Sequence, residues 1–352
     1  MLTVGRAPLR IGIVGAGAMA EYHVRRFSGI AGVRVAAVCD HSEAKAREFA
    51  AANGIGRFFA HPADMAASRA VDAVSVAAYD GYHREPVLAA LDRGLPVFCE
   101  KPLARRLSDA AAMAEAAARA GVPALVNFSK RNGGLLSLAR RLIESGHIGT
   151  PRTAEFHYRQ SWLLQDAWGD WRRSPRWAWR LSESLSTFGA LGDLGSHVLD
   201  ALLLVLGPGE VGSCSARRFD APSESGVELT GGPSFDSFSA RISAGAVEAS
   251  VSGSYRAEGH LDSFGLNVGG DAAALDLDFD RSRSTLLKFD APGATGVPVE
   301  AEKVPSTYER FLAMARGGED PVEERGLDFE RGLEVQDLVE ACAAASGAAA
   351  DR

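Results

Sequence analysis

Two rhythms of apolar and polar residues divide this chain. Up to residue 126, short apolar runs at 9–14, 33–38, 71–78, 96–99 and 124–126 alternate with stretches of helical period at 42–53, 85–93 and 108–120, the last two closed by Gly94 and Gly121. Strands that alternate with helices call for crossover connections, hence a parallel, doubly wound sheet of the Rossmann type. After Asn127 the rhythm changes. An amphipathic helix over 133–144 and a strand-like stretch over 151–160 lead into an apolar helix that opens at Gly192 and runs to Leu206. Short alternating runs at 211–219, 234–244, 247–256, 263–268, 274–279 and 284–289 then follow without intervening helices, which predicts an antiparallel sheet, and helices at 308–315 and 327–345 close the chain. The expected fold is therefore α/β, with an N-terminal Rossmann domain at 1–128 and a C-terminal α+β domain with a mostly antiparallel sheet at 129–352. No internal repeat or low-complexity linker separates them.

Totals narrow the function. At 352 residues, 46% hydrophobic and 24% charged, the chain suits two globular domains. A formal net charge of −7 with scattered arginines argues against nucleic acid or an anionic membrane surface as partner. Cys39, Cys99, Cys214 and Cys342 lie far apart with no CxxC spacing, so neither zinc nor a disulfide framework is expected and a reducing, cytoplasmic location is the simplest reading. The apolar run at 11–14 is too short for a signal sequence or a membrane span.

Two stretches carry candidate chemistry. The run at 9–14 leads directly into Gly15-Ala16-Gly17-Ala18-Met19-Ala20 and then into a helix. This is a dinucleotide fingerprint: one glycine for the turn, one for close approach of a pyrophosphate, and helix N–H groups to bind it. The second strand ends at Asp40, where a carboxylate accepts hydrogen bonds from ribose hydroxyls and repels a 2′-phosphate, so NAD is favoured over NADP. The plainer alternative makes Asp40 a cap for the next helix. A ligand belongs at the carboxyl ends of the strands, where Gly15, Asp40, Ala77-Ala78, Glu100-Lys101 and Asn127 fall. The other stretch is Gly192-Asp193-Leu194-Gly195-Ser196-His197. On one helix, Asp193 and His197 would stand four residues apart on one face, as a proton-transfer pair or metal ligands; Asp200 would either orient the imidazole or face water. No further cluster has metal-ligand spacing, which disfavours metal.

The run Cys99-Glu100-Lys101-Pro102-Leu103, with the fingerprint at Gly15, Asp40, Asn127-Phe128, Trp179-Arg180 and Gly192-Asp193-x-Gly195-x-His197, resembles the Gfo/Idh/MocA family over nearly the whole chain, and most of all its levoglucosan- and inositol-type sugar dehydrogenases. The resemblance implies nicotinamide-dependent redox chemistry on a sugar or cyclitol, with Lys101, Asp193 and His197 as catalytic groups. It also implies an open second sheet that forms a homodimer or homotetramer. Carried over by position, Asn127, Trp179, Arg180 and Tyr308 line the cofactor, together with Ala77, Ala78, His83, Glu100 and Lys101. Arg131 is placed with the substrate. The chain departs from the family where Ala78-Tyr79-Asp80 replaces a common Thr-Pro-Asn.

Oxidising a secondary alcohol removes a proton from oxygen while hydride leaves carbon. An imidazole suits the proton near neutral pH, so His197 is assigned as base, Asp193 as the group that positions it and grips a hydroxyl, and Lys101 as the cation for alkoxide charge; the Lys101 and His197 roles could be exchanged. All five tryptophans lie between Trp162 and Trp179. They could stack on a sugar ring, Trp171 among them, with Asp166, Asp170, Arg172, Arg176 and Arg180 binding hydroxyls; the alternative is packing. The leading expectation is an NAD-dependent dehydrogenase of a sugar, anhydrosugar or cyclitol. A redox-neutral NAD-dependent glycosidase and a non-catalytic NAD or sugar sensor are the alternatives. Lys101 followed by proline also allows a cis peptide bond.

Overall fold

A computed structural model describes residues 7–220, 229, 231–280, 283–290, 293–322 and 326–347. The chain forms two compact units: residues 1–127 with 307–333, and residues 128–306 with 334–352.

In the first unit, β1 (Leu9–Val14), β2 (Val33–Cys39), β3 (Phe58–Phe59), β4 (Ala73–Val76), β5 (Val97–Cys99) and β6 (Ala124–Val126) make one parallel sheet in the order β3-β2-β1-β4-β5-β6. The connecting helices are α1 (Ala18–Ser28), α2 (Glu43–Ala52), α3 (Pro62–Ala67), α4 (Arg84–Leu91) and α5 (Leu107–Ala120). Strands β4, β5 and β6 are buried at every position, as a sheet covered on both faces requires. The order reverses between β1 and β4, which leaves a crevice at their carboxyl ends. The two-residue β3 and the short α3 escaped the sequence pattern because neither is long enough to show a period.

The second unit opens with α6 (Leu135–Glu144) and β7 (Pro151–Arg159), followed by the short helices α7 (Pro175–Ala178) and α8 (Ala190–Asp193) and the longer α9 (Gly195–Val205). Strands β8 (Glu210–Arg218), β9 (Phe235–Ala244), β10 (Val247–Ser254), β11 (Ser263–Gly270), β12 (Ala274–Asp278), β13 (Arg283–Asp290) and β14 (Gly293–Pro298) complete an eight-stranded sheet in the order β14-β13-β12-β11-β7-β10-β9-β8. It is antiparallel except where β7 pairs in parallel with β10, a join the sequence did not announce because the partners are far apart in the chain. Every residue of α9 is buried, polar Ser196, His197 and Asp200 included, consistent with its mostly apolar sequence and its place between the sheet and α6.

Helix α10 (Thr307–Ala315) packs with the first unit, whereas the sequence assigned everything after 128 to the second domain. The reason is its apolar face: the Tyr308 and Phe311 rings fill space beside Phe27 and Phe98 of the parallel-sheet core. Helix α11 (Phe329–Ala345) follows. No helix among the described residues is long and apolar enough to cross a membrane.

Candidate active site

In the first unit, Gly15 turns the chain out of β1 with φ +101°, and a Cβ there would lie 2.7 Å from the Ala77 carbonyl oxygen. Only glycine tolerates both. Gly17 faces open space instead, at the mouth of α1, whose first-turn N–H groups at Ala18, Met19 and Ala20 have no acceptor within the helix. Asp40 stands at the end of β2 with its side chain 13% exposed; it accepts hydrogen bonds from the Ala16 N–H (3.1 Å) and the Ser42 N–H (3.0 Å). The cap of α2 is Ser42, not Asp40, so the plainer role proposed for that carboxylate falls to its neighbour. An anion-receptive helix mouth with free space and an acidic side chain at the next strand end is what the pyrophosphate and adenosine ribose of NAD require.

Lys101 begins the turn after β5, and its bond to Pro102 is cis. Beneath it lies a buried polar network centred on Glu100. One carboxylate oxygen of Glu100 pairs with His23 Nε2 (2.8 Å) and accepts from Asn127 Nδ2 (2.6 Å), while the other accepts from the Lys101 N–H (3.3 Å). His23 Nδ1 meets the Ser75 hydroxyl at 2.7 Å, and Asn127 also reaches the Tyr308 hydroxyl and accepts from Thr307. Burial works to raise the Glu100 pKa, but the hydrogen bond and charge of His23, with Lys101 and Asn127, outweigh it and hold the carboxyl below its ordinary range. The network thus fixes an ionised carboxylate under the lysine.

Several residues expected to line the cofactor are used internally. Asn127 and Tyr308 turn into the Glu100 network, and burial pushes the Tyr308 hydroxyl up. His83 has no exposed surface; its ring nitrogens face the carbonyls of Ala78 on one side and of Pro102 and Leu103 on the other, each at 3.1 Å. It therefore braces the Lys101 turn from behind, and this corrects its reading as a cofactor contact. His23 went unnoticed in the sequence because a lone histidine on an amphipathic helix shows no partner until the fold supplies Glu100, 77 residues away.

In the second unit the helix expected to carry both Asp193 and His197 is interrupted at Leu194. Asp193 closes α8 and His197 lies in the first turn of α9, while Leu194 keeps right-handed helical dihedrals. The tight entry to this segment depends on Gly192, where a Cβ would sit 1.9 Å from the Thr187 carbonyl oxygen. Asp193 Oδ2 accepts from Arg180 Nε (3.1 Å) and from the Tyr255 hydroxyl (2.9 Å). The Arg180 guanidinium also stacks on the Trp179 and Trp177 rings, which hold it beside Asp193. His197 is 5% exposed and meets the edge of the Tyr158 ring. The Tyr158 hydroxyl donates to Asp262 (2.6 Å), which also binds Lys130 Nζ (3.2 Å) and Gln160. Burial, with the charges of Asp262 and Asp193, pushes the Tyr158 hydroxyl well up and keeps it protonated.

Two substrate assignments are corrected. Arg131 has a wholly buried side chain that forms a two-pronged ion pair with Asp200, Nε to Oδ2 at 2.8 Å and Nη2 to Oδ1. Asp200 therefore neither faces water nor stands free to orient an imidazole. Trp171 is 2% exposed, packed against Trp162 and Phe219. Trp162 in turn packs on Tyr255 at 4.7 Å, and Trp168 stacks on Trp177. The tryptophan cluster thus packs behind Asp193 through Tyr255. Of the polar residues near it, Asp170 caps the turn at Arg172, and the Arg176 side chain lies outside the described residues. Among the described residues no group of three His, Cys, Asp or Glu side chains could hold a metal ion.

Residues 9–128 match the oxidoreductase family with the NAD-binding Rossmann fold, and residues 136–275 match the Gfo/Idh/MocA C-terminal domain. Inositol 2-dehydrogenase of Mycolicibacterium gilvum is 39% identical over 41% of this chain and 42% of its own. The 1,5-anhydro-D-fructose reductase of Ensifer adhaerens is 31% identical over 65% of this chain and 66% of its own. The chain spans less than half the length of the inositol 2-dehydrogenases and the D-apiose dehydrogenase it matches. A solved levoglucosan dehydrogenase in complex with NADH and levoglucosan has the same fold, with a TM-score of 0.81 at 21% identity and 97% of each chain covered. With both halves matched in order, the chain belongs to the Gfo/Idh/MocA family of oxidoreductases.

Proposed function

We propose that this protein is an NAD-dependent dehydrogenase that oxidises one ring hydroxyl of a sugar, anhydrosugar or cyclitol. The observation that carries the reading is the dinucleotide cradle, where open space at Gly17 meets the mouth of α1 and Asp40 ends the next strand. Gly15, Ala16, Gly17, Ala18 and Met19 would hold the pyrophosphate through backbone N–H groups, and Asp40 the ribose hydroxyls, which favours NAD over NADP. Bound NAD supplies the hydride acceptor.

The chain's own groups handle the proton and the charge. His197 takes the hydroxyl proton, since an imidazole exchanges protons near neutral pH. Asp193, already fixed by Arg180 and Tyr255, grips a neighbouring hydroxyl and orients the ring. The Lys101 ammonium stabilises negative charge on the reacting oxygen. Half-buried Trp168 and Trp177, rather than buried Trp171, would meet a substrate's C–H faces. The names of the relatives, which include inositol, anhydrofructose and levoglucosan enzymes, support a polyhydroxylated substrate. We assign a homodimer or homotetramer through the polar outer face of the second sheet, and a cytoplasmic location, to the same reading.

The test is a panel of sugars, anhydrosugars and inositols with purified protein and NAD or NADP, followed by absorbance of reduced nicotinamide. Turnover of at least one polyol with NAD is expected, with NADP slower. Release of free sugar from glycosides without net reduced nicotinamide would overturn the dehydrogenase reading in favour of redox-neutral glycosidase chemistry.

A further inference from the structure

Two aromatic rings that the core does not use stand in the open beside the dinucleotide cradle. Tyr82 is the last residue of a short turn over Asp80–Tyr82, between β4 and α4, and at 59% it is the most exposed large hydrophobic side chain among the described residues. His41 follows Asp40 at the end of β2 and has a side chain that is 86% exposed. The two rings lie nearly parallel, with 15° between their planes and 6.2 Å between their centroids, although they come from different loops.

The backbone puts them there. The strand order β2-β1-β4 places the loops after β2 and β4 on either side of the Gly15 turn. Both are tied to the end of β1: the Gly15 N–H donates to the Cys39 carbonyl and the Ala77 N–H to the Val14 carbonyl, each at 2.8 Å. Asp40 then fixes the first loop, because its carboxylate accepts from the Ala16 and Ser42 N–H groups and lies 3.3 Å from His41 Nδ1. The second loop is held from behind. The Tyr82 N–H donates to the Tyr79 carbonyl (2.8 Å), and the next residue, His83, is buried against the carbonyls of Ala78, Pro102 and Leu103. Tyr82 is thereby left to the solvent side. An apolar face kept wet in the free protein is area that a planar ligand gains by covering.

We propose that His41 and Tyr82 form a clamp for the adenine ring of NAD. The inference rests on the NAD reading above and carries it from the pyrophosphate and ribose to the base. Covalent connectivity supplies the argument. Adenine leaves the ribose at C1′, next to the C2′ hydroxyl assigned to Asp40, so the base belongs among the immediate neighbours of that carboxylate. The flat groups beside it are His41 and Tyr82. Gly15 to Met19 offer backbone N–H groups and Asp40 a carboxylate, none of which matches the π faces of a purine. An aromatic side chain does, by stacking, and the contact is strong enough to be read by alanine substitution. The clamp therefore recognises the adenine nucleotide half of the cofactor and is indifferent to the nicotinamide half.

Calorimetric titration of the full chain with NAD, AMP and nicotinamide mononucleotide tests the clamp without any turnover. AMP carries the base and the ribose hydroxyls but no nicotinamide. Tyr82→Ala should weaken NAD and AMP alike by about ten- to hundredfold, and His41→Ala should weaken both in the same direction, while Tyr82→Phe, which keeps the ring, should stay within about threefold of wild type. Nicotinamide mononucleotide should bind all of them equally. In wild-type protein with carbon-13-labelled histidine rings, AMP should move the His41 ring proton resonances upfield through the ring current of the stacked base, a readout that needs no folded variant. Unchanged NAD and AMP affinities in both alanine variants, or His41 resonances that stay in place at saturating AMP, would overturn the clamp and leave the NAD reading standing. Equal weakening of nicotinamide mononucleotide would also overturn it, since the loss would then belong to the whole cradle. Wild-type protein that binds neither NAD nor AMP would overturn both.

Discussion

The Arg131–Asp200 pair makes the sharpest energetic prediction. Both side chains are sealed, at 0% and 2% exposure, and the two prongs use Nε and Nη2 against both carboxylate oxygens. Removing one partner strands a full charge away from water, so Asp200→Leu and Arg131→Met should each cost about 3–5 kcal/mol. Replacing both, as Arg131→Met with Asp200→Leu, removes the desolvation penalty along with the attraction and should restore stability to within ~1–2 kcal/mol of the starting protein. The coupling from the double-mutant cycle is then about 3 kcal/mol or more, far above the few tenths seen for independent sites. Urea unfolding followed by tryptophan fluorescence is the apt assay, because all five tryptophans belong to the second unit and report on it selectively. A sealed pair is barely screened, so the coupling should hardly change between low and high salt. Single variants that cost less than ~1 kcal/mol, or a double variant as unstable as the two losses added together, would refute the reasoning.

Tyr255→Phe removes a donor that holds Asp193; a hydrogen bond to a charged group is worth ~1.5–3 kcal/mol, so kcat/KM should fall about ten- to hundredfold with the fold intact, and an unchanged value would remove Tyr255 from the site. Asp40→Ala should raise NADP use relative to NAD by about tenfold, or ~1.4 kcal/mol; an unaltered cofactor ratio in steady-state rates would contradict the ribose assignment. Glu100 has its folded pKa below the unfolded one, so its contribution to stability is present above the ordinary value of 4.5 and is lost as pH falls through the folded pKa. Glu100→Gln should lower stability at neutral pH and flatten the decline below that value; equal acid slopes in variant and wild type, read from denaturant midpoints against pH, would count against it.

The features legible in the sequence were those written in neighbouring residues. Gly15 through Met19 between a strand and a helix, Asp40 at the next strand end, and glycine-closed helices all follow from local sterics. The parallel sheet was therefore foreseeable from the run at 9–14 onward. What stayed hidden depends on partners far along the chain. Asp200 meets Arg131 from 69 residues away, and Tyr255 meets Asp193 from 62. Nothing near Trp171 told whether its face would be bare or covered, and here Trp162 and Phe219 cover it. The interruption at Leu194 carries no proline to announce it. Likewise a β-bulge at Gly212, where β8 pairs with β9, reverses which residues of β8 face inward, and alternation alone misplaces Cys214.

The central claim is that Lys101 and His197 carry the chemistry while the glycine turn and Asp40 carry the cofactor. The most direct measurement takes Lys101→Ala and His197→Ala with a polyol that the wild type oxidises, and records turnover and, separately, NAD affinity by fluorescence titration. Turnover should fall by at least about a hundredfold in each, in line with the usual worth of a positioned acid–base group, while the NAD dissociation constant moves less than about threefold. Wild-type turnover in both variants would contradict the account.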